Sequence, residues 1–226
     1  MSILPDAAAA RVLVASYRYT DENGVLLAVK QRWEPGYDGR SKTFTWEKPD
    51  APNSVLRYKQ VADWLKYYRH WDRMLYVGGG TLPDLLAGLR KGNRLLWVVE
   101  GEKCAEALAR RGALVCSGHN GAAGLTRQQA RVIAGARRVR IVVDNDELND
   151  PNNHAGMGGA AKTHDSLERV GIPADHIEFV RAAEGKDAAD HLAAGFGLNE
   201  FVPLTKRQVK GLAKLVTKEQ RKRYNS

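Results

Sequence analysis

The strongest hydrophobic pattern along the chain is a pair of apolar runs that each stop at an acid. Leu95–Val99 runs into Glu100, and Val139–Val143 runs into Asp144, with Asp146 two residues on. Runs of this length and character predict strands buried on both faces of a parallel sheet, each delivering a carboxylate to the sheet's mouth. Around them the pattern alternates. It predicts a strand at Leu95–Val99, a helix at Glu102–Arg111, a strand at Ala113–Ser117, a glycine-rich loop (GHNGAAG) and a helix starting near Thr126. It continues with a strand at Arg138–Val143, a polar loop (ELNDPNNHAGMGG), a helix at Ala160–Val170 and a strand at His176–Val180. Strand and helix alternating at this spacing imply a parallel sheet with helices on its faces and right-handed crossovers.

The first part of the chain is patterned differently. SYRYTDENGVLLAVKQRW predicts two strands joined at Asn23-Gly24, a pair that tolerates positive φ. A second turn at Pro35–Gly39 leads into a strand through KTFTW, completing a small antiparallel meander. Gln60–Trp71 has the spacing of a short helix, and Leu82–Leu89 that of another, capped by Thr81 with Pro83 in its first turn. Twelve of the 17 aromatic residues fall between Tyr17 and Tyr76, which marks two differently built halves.

Charge changes the picture at the carboxyl end. The chain carries a formal +9, and the segment from Thr205 holds eight Lys or Arg against the single acid Glu219. Val209, Leu212, Ala213 and Val216 recur there at helical spacing, predicting an amphipathic helix with a basic face that includes Lys210 and Lys214. Such a helix binds nucleic acid, docks its apolar stripe on the domain, or meets anionic lipid. A basic chain favours a polyanionic partner.

The two cysteines, Cys104 and Cys116, each sit in an apolar segment and form no CxxC pair, which argues against a zinc module and for reduced, buried thiols. The start, MSILPDAAAARVLVASY, lacks a basic leader and a clean apolar stretch, and no segment reaches the roughly 18 apolar residues of a membrane span. A soluble, cytoplasmic protein is expected.

Glu100, Asp144 and Asp146 at one sheet mouth would repel one another unless a cation sat between them, and Mg²⁺ or Mn²⁺ suits an all-oxygen set. Taken singly, Glu100 is also explained as a helix-start acid and the aspartates as turn caps.

VVEGEKCAEAL, SGHNGAAG, IVVDND and GKDAADHLAAG, in this order, resemble a Toprim domain, the catalytic fold of bacterial-type primases, topoisomerases and several nucleases. Strand-Glu-Gly, followed about 45 residues later by strand-Asp-x-Asp, carries the resemblance, which covers roughly residues 92–200. The first half also resembles the region preceding Toprim in phage and mobile-element primases. The resemblance implies an α/β fold: a Toprim-like parallel sheet with flanking helices, preceded by a small antiparallel β-rich domain. It implies divisions at 1–91, 92–204 and a basic tail at 205–226.

It also implies roles. Glu100, Asp144 and Asp146 would be the catalytic metal ligands, with Asp187 assisting. Lys103, His119, Asn120 and Lys186 would face phosphate or nucleotide. Asp187 and Asp190, three apart, would share a helix face, or Asp187 would cap it. The loop Glu147–Gly158 is longer than in many relatives, and its acids Glu147 and Asp150 extend the ligand candidates.

Three weaker motifs fail on their own chemistry. GMGGAAKT has Ala161 where a phosphate loop needs its second glycine, and no apolar strand precedes it. DNDELND puts Leu148 at a ligand position of a calcium loop and lacks the required glycine. VGGGT has no lysine and is a turn.

In the aromatic half, alternation would put Arg40, Lys42, Phe44 and Trp46 on one strand face, a basic and aromatic surface suited to single strands. The same rings also serve as the core of a small domain. The implied activity is a Mg²⁺-dependent primase making short RNA primers from nucleoside triphosphates on a single-stranded DNA template, in phage or mobile-element replication beside a replicative helicase. The alternatives are a Toprim nuclease and a non-catalytic nucleic-acid-binding accessory.

Overall fold

The computed structural model describes residues 11–37, 39–56, 58–67, 70–92, 94–146 and 154–214. The predicted Glu147–Asp150 acids and the tail beyond Lys214 lie outside the described residues. The chain divides into two compact units, one of residues up to Tyr19 plus Leu26–Trp71, the other of Thr20–Val25 plus everything from Asp72.

The smaller unit is a four-stranded sheet in the order β1 (Val12–Thr20), β2 (Leu26–Glu34), β3 (Thr43–Lys48), β4 (Ala51–Leu56), followed by α1 (Tyr58–Tyr67). The strands β2–β3 and β3–β4 pair antiparallel. The turn after β1 is closed by Asp21, whose Oδ1 accepts from the N–H groups of Asn23 and Val25, with Gly24 at φ +83°. A longer Asx-type turn thus replaces a two-residue hairpin.

The larger unit is built on a six-stranded sheet whose four central strands are parallel. These are β6 (Leu96–Val99), β7 (Leu114–Gly118), β8 (Val139–Val143) and β9 (Ile177–Arg181), in the spatial order β9-β8-β6-β7. Short antiparallel edges flank them: β5 (Leu75–Val77) beside β7 and β10 (Val202–Leu204) beside β9. On one face Leu96, Val98, Val139, Ile141, Ile177 and Phe179 pack with α2 (Leu82–Arg90), α4 (Arg127–Val132) and α5 (Ala155–Glu168). The alternate positions, such as Trp97 and Val99, face α3 (Glu102–Arg110) and α6 (Ala188–Ala193). Trp97 and Phe201 meet there at 5.3 Å. Both cysteines are buried and unpaired, and burial pushes the Cys116 thiol up to about 12, out of reactive range.

Two expectations change. The division falls before residue 72, not after 91, because β5 pairs with β7 and α2 packs against both. The helix expected from Ala160 starts at Ala155, so the last five residues of the expected polar loop, Ala155–Gly159, are helical. The reason is contact: a Cβ on Gly156 would strike the Asp144 backbone, and one on Gly159 would strike the Ala122 carbonyl. The glycines let α5 pack closely on both loops, outweighing their poor helix propensity.

Of the readings open for the basic helix, the structure shows the docked apolar stripe. As α7 (Lys206–Ala213), it docks on α5 through the fully buried Val209, with Lys210 Nζ 2.7 Å from Asp165 and Lys206 Nζ 3.3 Å from Glu168. Among the described residues no helix is long and apolar enough to cross a membrane.

Candidate metal centre

Strands β6 and β8 are parallel neighbours, so their carboxyl ends open on one rim. Val98 pairs with Ile141, which brings Glu100 level with Val143 and puts Asp144 one residue beyond. The mouth of such a sheet is where α/β proteins bind ligands. Val143 pairs with Arg181, so the segment 182–187 after β9 reaches the same rim.

Asn145, the residue between the two aspartates, ties that segment down. Its backbone N–H donates to the Lys186 carbonyl at 2.8 Å, and Nδ2 donates to the carbonyls of Gly185 at 3.0 Å and Ala182 at 3.3 Å. The sequence pattern did not single out Asn145. The available signal was a primary amide at the end of a buried strand, whose donors must find partners.

Asp146 is buried, with Oδ2 accepting from the Gly156 N–H at 2.7 Å and Oδ1 3.0 Å from Lys186 Nζ. A carboxylate at the start of α5 also suits the helix dipole. Asp187 caps α6 by accepting from the Asp190 N–H at 2.9 Å. Asp190 accepts from the Lys186 N–H at 3.1 Å, and its other oxygen lies 3.2 Å from Lys103 Nζ. Lys103 is also 3.7 Å from Asp187, so this predicted phosphate contact is committed to the α6 acids.

The electrostatics converge on Asp144. Burial first, then the charges of Glu100, Asp187 and Asp146, hold its carboxyl well above the usual range, with Lys186 opposing them. Burial pulls the Lys186 ammonium down, but Asp146, Asp144 and Glu100 outweigh it and raise its pKa. Acids that make one another costly to ionise form a site where a divalent cation lowers the energy. The donors are all oxygen, which suits Mg²⁺ or Mn²⁺. Glu100 helps line a cavity of about 30 Å³, together with Gly121, Gly124, Gly156, Gly159 and apolar strand residues, room for one water.

A second cluster escaped sequence reasoning. Among the described residues, the trio of ligating side chains with donor atoms all within 4.8 Å of one another is His164, Asp165 and Glu168, not the acids of the rim. His164 is fully buried, stacked on Phe179 at 5.3 Å, with Nδ1 2.9 Å from Glu168 Oε2. Lys210 and Lys206 already neutralise the two carboxylates of this trio, so it has no charge deficit for a cation to fill.

The remaining expected contacts divide. His119 is buried, its Nδ1 3.2 Å from the Met74 carbonyl and 3.0 Å from Gln129 Nε2, a structural tie rather than a surface donor. Asn120 is half-buried at the turn beside it. In the smaller unit, Arg40 and Lys42 are exposed but precede β3 instead of sharing its face. Trp46 is 1% exposed and packs on Tyr19 at 5.3 Å and Trp71 at 6.0 Å. It belongs to the core, because a sheet of this size needs its largest rings inside; it offers no stacking platform. Lys210 is ion-paired to α5, and Lys214 closes α7.

No family model matches the chain, and no curated protein does. Solved structures do. The chain is similar to the structure of the DnaG catalytic core at 17% identity and TM-score 0.54, covering 93% of this chain and 61% of that one. It is similar to the DnaG primase catalytic domain bound to ssDNA at 18% identity and TM-score 0.53, covering 92% and 59%. A DNA primase domain from Pseudomonas aeruginosa matches at 18% identity and TM-score 0.52, covering 83% and 51%. The fold is therefore that of Toprim-containing primase catalytic cores, and the chain spans about half to three fifths of the length of these structures.

Proposed function

We propose that the chain is a primase-type Toprim nucleotidyltransferase that joins nucleoside triphosphates into short RNA primers on single-stranded DNA. The observation that carries this reading is the set of mutually repelling acids at the carboxyl rim of β6 and β8, on a primase-core fold. Glu100 and Asp144 would hold a divalent cation, with Asp187 and Asp146 beside them. When bound, the cation would neutralise charge developing on the phosphate oxygens and orient the attacking hydroxyl. Asn145 holds the 182–187 segment, and with it Lys186 and Asp187, against the rim. Gly156 lets α5 approach Asp144 closely enough for its N–H to fix Asp146. Positioning of this kind supplies much of the rate in phosphoryl transfer, since there is little covalent chemistry for the protein to do.

The test incubates the chain with single-stranded DNA, labelled ribonucleoside triphosphates and Mg²⁺ or Mn²⁺. Short RNA products that vanish with Asp144→Asn are expected. Metal-dependent loss of labelled strands without synthesis would assign a Toprim nuclease instead. Binding with neither activity, unchanged by Glu100→Gln, would leave a non-catalytic accessory.

A further inference from the structure

Lys186 puts a cation of the chain's own inside the acid cluster. Its backbone is pinned on both sides, the carbonyl by the Asn145 N–H at 2.8 Å and the N–H by Asp190 at 3.1 Å. Its ammonium lies 3.0 Å from Asp146 Oδ1, while the side chain stays 42% exposed. Lys103 is occupied by Asp187 and Asp190. The field of Lys186 thus reaches Asp146, Asp144 and Glu100 together.

We propose that Lys186 is a built-in counter-ion of the metal-free site, and that a divalent cation and the Lys186 ammonium compete for the same acids. This rests on the metal-site reading above. A lysine suits the exchange: its compact charge rides on a flexible four-carbon stem, so the ammonium can swing to solvent while the backbone stays fixed. The arrangement keeps the acids assembled without metal and lowers metal affinity.

Mn²⁺ binding and thermal unfolding of the full chain test this. Lys186→Met is expected to bind Mn²⁺ about tenfold more tightly, the scale of losing one competing charge roughly 4 Å away in a partly exposed site. The same variant should unfold at a lower temperature without metal and gain more than wild type when Mn²⁺ is added. Lys186→Gln, polar and uncharged, should repeat both shifts, and Lys186→Arg, which keeps the charge, should stay near wild type. Unchanged or weaker Mn²⁺ binding by the folded Met and Gln variants overturns the exchange and leaves the metal site standing. Absence of Mn²⁺ binding by wild type, or binding that Asp144→Asn does not reduce, overturns the metal-site reading and this inference together.

Discussion

Replacing Gly156 by alanine probes the closest seam between the fold and the candidate site. A Cβ there would sit 2.7 Å from the Asp144 carbonyl oxygen and 3.1 Å from the Asp144 nitrogen. Either α5 or the Asp144 peptide must retreat by roughly 0.7 Å to regain ordinary contact near 3.4 Å. Overpacking of this kind costs about 1–3 kcal/mol, against a helix-propensity gain near 1 kcal/mol for Gly→Ala, so the net is a loss of up to about 2 kcal/mol in place of the usual gain. Gly211 in α7 supplies the control: nothing lies within 4 Å of its would-be Cβ. Gly211→Ala should therefore gain about 0.5–1 kcal/mol. Urea unfolding of both variants, with Mn²⁺ titrations, reads the contrast. Because the retreat displaces either Asp144 or the Gly156 N–H that fixes Asp146, Mn²⁺ affinity of Gly156→Ala should fall about tenfold, as sub-ångström misplacement of a ligand allows. A Gly156→Ala protein as stable as Gly211→Ala, with wild-type Mn²⁺ affinity, would refute the reasoning.

Asp144→Asn should raise the metal-free unfolding temperature at neutral pH while reducing Mn²⁺ binding. The folded carboxyl titrates above its ordinary 3.8, so its stabilising effect is full below that value and lost as pH rises through the folded one. Asn145→Ala removes two hydrogen bonds, one buried and one partly buried, and leaves the Ala182 and Gly185 carbonyls without them. It should cost about 1–3 kcal/mol in urea unfolding and weaken Mn²⁺ binding, whereas a purely local role would change stability alone. Val209→Ala, at the buried contact of α7, should cost about 1–3 kcal/mol in the same unfolding assay, and Lys210→Ala under about 1 kcal/mol, because its ion pair with Asp165 is half exposed.

The central sheet was legible because buried parallel strands need unbroken apolar stretches, and Leu96–Val99 and Val139–Val143 have them. The edges were not. Strands β5 and β10 are three residues each, too short for any periodicity to register. The start of α5 was hidden because glycine marks a loop locally, while its use here depends on Asp144 and Ala122, which are remote in sequence. Glu100 and Asp144 were visible from their place after apolar runs. Asn145 stood as the unspecified middle of Asp-x-Asp, since its partners at 182–186 come from another strand's loop. For the basic tail, composition showed the charge of Lys206 and Lys210 but not that acids of α5 would meet it. Trp46 stood as either a surface or a core residue for a similar reason: alternation gives two faces without saying which is inside, and the structure puts it inside.

The most direct measurement is a crystal grown with Mn²⁺ and its anomalous difference map. A peak is expected about 2.2 Å from carboxylate oxygens of both Glu100 and Asp144, with the Lys186 ammonium withdrawn from Asp146. A peak confined to His164, Asp165 and Glu168, or a rim without one at saturating Mn²⁺, would contradict it.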